Sequence, residues 1–186
     1  MIAYKLLEPG RVAPFSRVVW PEPGEWLEAE SVDPCRSGIH ACRALQLPPW
    51  LALGDLWEVE LEDVVVDERK VVARRGRLVR RVDEWDPAAQ RAFGVTCGDV
   101  TARRAERSPE LQVFADDIAT APPAPVCGYM AARAAELQDG PEGYDTERRR
   151  QAQWLIENLR LMDGGDVWRS PARSRWSRWF GRKTKR

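Results

Sequence analysis

A strictly alternating segment near residue 60 limits the possible folds of this chain more than any other feature. Over residues 56–61, every second side chain is apolar, and glutamates stand between Trp57, Val59 and Leu61. Because the side chains of a β-strand point alternately to its two faces, this pattern predicts a strand with one buried face. The buried face would carry Trp57, Val59 and Leu61, and the solvent face Glu58 and Glu60.

Further strand signals indicate a β-rich domain over residues 1–84. A first strand is predicted at residues 2–7, which are mostly apolar. Residues 70–73 and 78–82 flank an Arg-Arg-Gly-Arg sequence, which predicts a hairpin or a tight corner with Gly76 at a positive φ.

The pattern changes to helical periodicity at about residue 85. Asp86 followed by Pro87 is typical of a helix N-cap and first turn. The clearest helix is predicted near the end, capped by Asp145 or Thr146, with Arg148 among its solvent-facing residues. Its predicted apolar face carries Ala152, Leu155, Ile156, Leu159 and Met162. The sequence as a whole predicts an α+β protein in three parts: a β-rich domain (1–84), a helical region (85–163) and a tail (164–186).

Composition and hydropathy exclude several classes of protein. Hydrophobic residues make up 44% of the 186 residues, which is enough for a core and argues against wholesale disorder. No stretch approaches the length of a membrane-spanning helix, and the first ten residues lack the pattern of a signal peptide. We therefore expect a cytoplasmic protein whose four cysteines are thiols or metal ligands rather than disulfides.

The most distinctive chemistry lies in residues 35–42, which contain the only histidine of the chain and two of its four cysteines. If residues 38–42 form a strand, His40 and Cys42 point to the same face. A tetrahedral zinc site would then combine these two residues with Cys35 and with a fourth ligand. The candidates for that fourth ligand are Cys97 and Cys127. The sequence lacks the two C-x-x-C or H-x-x-x-H pairs that are typical of structural zinc sites.

Other interpretations of the same residues remain open. Cys42 would be a small buried hydrophobe beside a hydrogen-bonded His40. Alternatively, His40 would project into a pocket as an acid–base or substrate-orienting group. A dyad of His40 with Cys35 or Cys97 would also fit, although nothing in the sequence marks either thiol as activated.

Four sequence elements together resemble a family of small bacterial and phage domains of unknown function. The elements are Ala3-Tyr4-Lys5, the motif Cys35-x-x-Gly38-Ile39-His40-Ala41-Cys42, a Leu-Pro turn and Leu56-Trp57-Glu58-Val59. That family has a Tyr-Lys start and a Gly-[Phe/Ile]-His-Ala-Cys core motif, and the likeness covers about residues 1–82. The resemblance implies a bacterial protein with a shared N-terminal domain, and it implies no reaction.

A more distant similarity relates the order of predicted elements to ADP-ribosyltransferase-type domains. In such folds an early histidine or arginine and a later glutamate hold and activate NAD. The similarity implies that His40 and Glu58 or Glu60 are catalytic and that the ligand is NAD-like. The first strand lacks the His-Gly-[Ser/Thr] motif of those folds, and solvent-facing glutamates on a plain strand are the simpler interpretation.

These observations favour a binding or interaction module whose cofactor is unknown. The alternatives are a small transferase or hydrolase that uses His40, and a metal-stabilised accessory domain. An enzyme would place His40 in a concave pocket, and a metal module would bring three or four ligands to one point. A pure interaction module would show neither feature.

The last twenty residues concentrate positive charge. Residues 167–186 contain eight basic and no acidic residues, so the rest of the chain has a net charge of −8. The spacing of four, four and then three or four between Trp168, Ala172, Trp176 and Trp179 or Phe180 predicts a basic helix that meets an anionic membrane surface or a single-stranded nucleic acid. A solvated tail is the alternative, because Pro171, Gly181 and three serines oppose helix formation. The predicted contacts are Arg169, Arg173, Arg175, Trp176, Arg178, Trp179, Arg182 and Lys183.

We predict that an anionic partner is bound through this tail. Each basic residue near an anionic surface contributes about 1 kcal/mol. The full chain should therefore sediment with anionic vesicles or bind single-stranded DNA, whereas a chain that ends at Gly165 should not. Equal binding by both chains would contradict the prediction, and neutral vesicles serve as the control.

Overall fold

In the computed structural model, which describes residues 1–33, 36–52, 54–66 and 70–162, an antiparallel sheet is followed by four α-helices. This arrangement confirms the α+β fold. The strands are β1 (Ile2–Leu7), β2 (Leu27–Glu28), β3 (Ile39–Ala41), β4 (Asp55–Val66) and β5 (Val71–Arg81). The helices are α1 (Pro87–Ala105), α2 (Gln112–Ala119), α3 (Ala124–Asp139) and α4 (Pro141–Leu159). Short 3-10 turns occur at Ala44–Gln46, Pro48–Trp50 and Pro109–Leu111. The predicted ligand Cys35 and all of the predicted tail contacts lie outside the described residues.

The alternating segment forms the first half of β4, as predicted. Val59 and Leu61 are fully buried, and Trp57 packs against the same cluster with part of its surface exposed. Glu58 and Glu60 lie on the opposite face, where they pair with Arg80 and Arg77 of β5. The period of two therefore predicted the faces of the strand correctly, while cross-strand ion pairs cover part of the polar face.

The sheet curls until its two outer edges meet. β1 and β5 flank β4, and β3 pairs with the far edge of β5. Tyr4 of β1 and Cys42, which directly follows β3, then exchange two backbone hydrogen bonds of 2.7 and 2.8 Å. Four strands thus form a ring that is closed by a single residue pair.

The ring separates two hydrophobic clusters, one inside it and one between the sheet and the helices. The inner cluster is made by Ala3, Leu7, Ala13, Trp20, Ile39, Ala41, Val59, Leu61, Val71, Ala73 and Leu78. The outer cluster joins sheet residues such as Tyr4, Leu6 and Leu56 to helix residues such as Phe93 and Leu155. The sheet therefore contributes residues to both clusters, so the β-rich and helical parts share a core.

The predicted hairpin at Gly76 is wrong, because β5 continues through this residue as an unbroken strand. Gly76 has no positive φ. A Cβ at this position would lie 3.0 Å from Leu61, 3.2 Å from Ile39 and 3.4 Å from Trp20. The residue therefore serves the close packing of the ring interior rather than a turn.

The predicted start and solvent face of the last helix also need correction. α4 begins at Pro141, directly after Gly140 with φ +72°, and not at Asp145 or Thr146. Proline is well suited to the first helical position because its nitrogen would have no hydrogen-bond partner there. Arg148, predicted to face solvent, is only 3% exposed. Of the predicted apolar face, Met162 lies beyond the helix and is largely exposed.

No helix in the described part of the chain combines the length and the apolar character needed to cross a bilayer.

We predict that Val59→Asp lowers the free energy of unfolding by about 3 kcal/mol or more, because it places an unpaired carboxylate in the ring interior. Urea denaturation followed by circular dichroism would measure the loss. Val65→Asp is the matched control, since Val65 lies on the same strand with 46% of its surface exposed. Equal stability of the two variants would contradict the assigned register of β4.

Candidate functional site

A pocket of about 290 Å³ lies beside the residue pair that closes the ring. Its walls come from Tyr4–Leu6 of β1, from His40–Cys42 at β3 and from the loop over residues 13–16. Leu47 and Trp50 close one side, and Lys70 lies at the start of β5. β1 and β3 pair only at Tyr4 and Cys42, so the backbone leaves a gap next to this point.

Lys5 is the side chain from β1 that crosses this gap. Its neighbours in the alternation, Ala3 and Leu7, both belong to the inner cluster. The Lys5 ammonium Nζ donates a hydrogen bond of 2.7 Å to the carbonyl oxygen of His40, and it lies 5.7 Å from the centre of the Trp20 ring. Burial removes the charged form from water and lowers the pKa of Lys5 to about 8.

His40 lies on β3 and lines the pocket, half-buried. A glycine, Gly38, precedes the strand with φ +107°, and a Cβ there would lie 2.6 Å from Val72, so the residue allows β3 to approach β5 closely. The His40 Nε2 atom is buried and has no hydrogen-bond partner among the residues that the structure describes. Burial, together with the positive charges of Lys70 and Lys5, lowers the pKa of His40, so its imidazole is neutral at pH 7.

Cys42 is buried and remains a thiol. Burial raises the pKa of Cys42 to about 12, and the nearby charges of Lys5 and Lys70 offset only part of this effect. Nucleophilic attack and metal binding both require the thiolate. At neutral pH this environment favours a packing role for the Cys42 side chain.

Lys70 brings a second positive charge to the pocket. Its Nζ lies 5.9 Å from the centre of the Trp50 ring. Among the ion pairs formed by the described residues, none involves Lys5 or Lys70. Phe15 and Trp50, 85% and 37% exposed, add aromatic surface at the rim. The pocket thus combines two ammonium groups, a neutral imidazole and two aromatic rings.

The buried Arg148 of α4 holds the turn that carries Trp50. Its guanidinium donates to the carbonyl oxygen of Pro48 at 3.3 Å and to Gln151 Oε1 at 2.9 Å. Tyr144 accepts two further hydrogen bonds of 3.2 Å from the same group. The helical layer therefore fixes one wall of the pocket through an arginine, a residue that binds several acceptors at once.

The structure separates the other sequence-predicted candidates from His40. Glu58 and Glu60 lie on β4, 3.4 and 2.6 Å from the guanidinium nitrogens of Arg80 and Arg77, and neither lines the pocket. Cys97 and Cys127 are buried in the helical layer. Within the described residues, no three His, Cys, Asp or Glu side chains are grouped to hold a metal ion.

Sequence reasoning found His40 but missed both lysines of the pocket. A compositional signal was present, because the chain contains 25 arginines and only four lysines. Two of those four lysines, Lys5 and Lys70, line this pocket. In a chain this rich in arginine, a position occupied by lysine indicates a place where the two cations are not interchangeable.

Comparison with known proteins assigns no function to this pocket. No protein-family model, curated protein or solved structure matches the chain. The chemistry of the pocket residues is therefore the basis of the functional proposal.

We predict that the stability of the protein relative to a Lys5→Met variant rises between pH 8 and pH 10.5. Below pH 8, Lys5 is protonated in both the folded and the unfolded chain, so the wild type bears the full cost of burying the charge. Above the lowered pKa of Lys5 of about 8, the folded chain binds fewer protons than the unfolded chain. The relative free energy of unfolding should therefore increase by about 2.5 kcal/mol over this range.

Urea denaturation of both proteins at several pH values would measure this difference. Because every other titrating group is common to the two proteins, its contribution cancels to first order. A difference that stays constant between pH 7 and pH 10.5 would contradict the burial of Lys5.

Proposed function

We propose that this protein is a binding module for a small organic anion, held in the pocket between Lys5, His40 and Lys70. The observation that supports this function is the convergence of two lysines, without an ion-pair partner among the described residues, on one pocket.

The electrostatics of the pocket favour an anionic ligand. Burying an ammonium group without a counter-ion is costly, and the lowered pKa of Lys5 reflects this cost. A carboxylate or phosphate group would offset the cost by supplying the missing negative charge. The His40 imidazole, which lines the same pocket, adds a polar group to the surroundings of this ligand.

The size and lining of the pocket limit the rest of the ligand. A volume of about 290 Å³ is at the lower end of the range for small-molecule sites. Phe15 offers an exposed aromatic ring on which a planar or apolar group can lie, and Trp50, whose ring lies beneath Lys70, adds partly exposed aromatic surface. These features favour a compact molecule with one acidic group and an apolar or planar body.

Binding is better supported than a reaction at His40 with a carboxylate partner. The residues that line the pocket include no Asp or Glu among the described part of the chain. Glu58 and Glu60, the partners that an ADP-ribosyltransferase-like mechanism would use, are engaged by arginines on β5. An anion would meet no repulsive carboxylate from the described residues that line this pocket.

The test is calorimetric titration with phenyl phosphate and with benzoate, using benzyl alcohol as the uncharged comparison. We expect both anions to bind and the alcohol not to bind. Lys5→Gln and Lys70→Gln should each weaken binding by about tenfold, which corresponds to about 1.4 kcal/mol. Arg103→Gln is the matched control, because it removes one positive charge from an exposed position on α1.

Two results would overturn the proposal. One is equal affinity for the anions and for benzyl alcohol, which would show that charge is not recognised. The other is unchanged anion binding in both lysine variants, which would place the site elsewhere. Circular dichroism of each variant shows whether it is folded at the temperature of the titration.

A further inference from the structure

We propose that Lys5 is a nucleophilic amine that captures a carbonyl group in this pocket as an imine, so the ligand is a small aldehyde acid or keto acid. This inference rests on the proposed function, because Lys70 would hold the acid group while Lys5 reacts with the carbonyl carbon.

The choice of lysine at this position is the first argument. Elsewhere the chain uses arginine as its cation, with 25 arginines against four lysines. Arginine binds carboxylates and phosphates at least as well, through two parallel hydrogen bonds. A lysine differs in that its amine can lose a proton and attack a carbonyl, which a guanidinium cannot do in a protein. Position 5 therefore suits covalent chemistry better than charge recognition alone.

The surroundings of Lys5 are the second argument. Its Nζ donates to a backbone carbonyl oxygen, that of His40, and to no carboxylate among the described residues. A carboxylate partner would stabilise the ammonium form strongly, whereas a backbone carbonyl stabilises it less and can also accept a hydrogen bond from the neutral amine. The stem of the side chain lies beside the inner cluster of the ring, which also disfavours the charge. Burial thus leaves a substantial share of Lys5 as the free amine near pH 8, consistent with its lowered pKa.

The reaction needs no further reagent. The lone pair of the neutral Lys5 nitrogen attacks the carbonyl carbon, and the carbonyl oxygen takes up a proton as the C–O double bond opens. The resulting carbinolamine then loses its hydroxyl group as water, with a second proton, while the C=N bond forms. Overall, one amine and one carbonyl give one imine and one water, without oxidation or reduction.

His40 is placed to move the protons in this sequence. Its imidazole is neutral at pH 7 and belongs to the lining of the same pocket. A neutral imidazole can take the proton that the attacking amine releases and return it to the departing oxygen. His40 would therefore assist both the formation and the hydrolysis of the imine.

The experiment traps the imine on the intact chain. The protein is incubated with glyoxylate and sodium cyanoborohydride, which reduces an imine to a stable carboxymethyl amine. Peptide mass spectrometry with fragment-ion mapping then assigns each adduct and separates Lys5 from the amine of Met1. We expect Lys5 to be labelled at least about tenfold faster than Lys183 and Lys185, a difference equal to about 1.4 kcal/mol in activation free energy.

Two comparisons show whether the pocket directs the reaction. Propanal, which lacks the acid group, should label Lys5 more slowly than glyoxylate does, and Lys70→Gln should reduce this preference. Phenyl phosphate added beforehand should protect Lys5. His40→Gln should slow the labelling of Lys5 by a larger factor than it weakens the binding of phenyl phosphate, whereas the exposed Arg103→Gln control should change neither.

The failure of this inference is distinguishable from the failure of the proposed function. If Lys5 is labelled no faster than Lys183 and Lys185 while phenyl phosphate still binds, the pocket is an anion site and the imine proposal is overturned. If neither labelling nor anion binding occurs, both proposals are wrong. The Lys5→Arg variant, which keeps the positive charge, should bind phenyl phosphate and give no adduct at position 5. An unchanged total yield of adduct in this variant would contradict the assignment of Lys5 as the reacting amine.

Discussion

The fold depends on one pair of backbone hydrogen bonds, those between Tyr4 and Cys42. Without them β1 and β3 would be the free edges of a curled sheet, and the inner cluster would be open to water on that side. With them the ring is closed at a single residue pair, and the adjacent backbone is left unpaired. The pocket is therefore a consequence of how the ring closes: the gap that remains beside the pair is filled by the Lys5 side chain.

The alternation of β1 places two unlike side chains on either side of that closure. Tyr4 points to the helical layer, where its hydroxyl accepts a hydrogen bond of 2.6 Å from the backbone nitrogen of Met162. Lys5 points the other way and meets the ring interior. An apolar residue at position 5 would pack there without the desolvation penalty that an ammonium group bears. A buried lysine that bears this desolvation penalty is a candidate functional residue, because titratable groups with shifted pKa values are concentrated at functional sites.

Sequence reasoning predicted the architecture well and the site only in part. Period-two alternation predicted the faces of β4, and the Asp-Pro sequence predicted the start of α1, because both signals are local. The hairpin at Gly76 failed, since a glycine needed for close packing and a glycine needed for a turn look identical in sequence. Arg148 was assigned to solvent because Pro48, which lies 100 residues away in the sequence, becomes its neighbour only through the tertiary fold. His40 stood out as the only histidine, whereas Lys5 and Lys70 are 65 residues apart and form a pair only when the ring closes.

The Arg148 contacts connect the helical layer to the chemistry of the pocket. Trp50 belongs to a three-residue 3-10 turn, and such a short turn has little stability of its own. Its position is therefore set from outside, by the hydrogen bond from Arg148 to Pro48 and by the packing of Leu47 in the outer cluster. Because Lys70 lies over the Trp50 ring, displacement of this turn would also remove the aromatic ring beneath the second cation of the pocket. The helical region thus does more than cover the sheet, because it fixes the wall of the pocket against which a ligand would lie. A substitution on α4 would therefore alter the shape of the pocket without contacting the ligand.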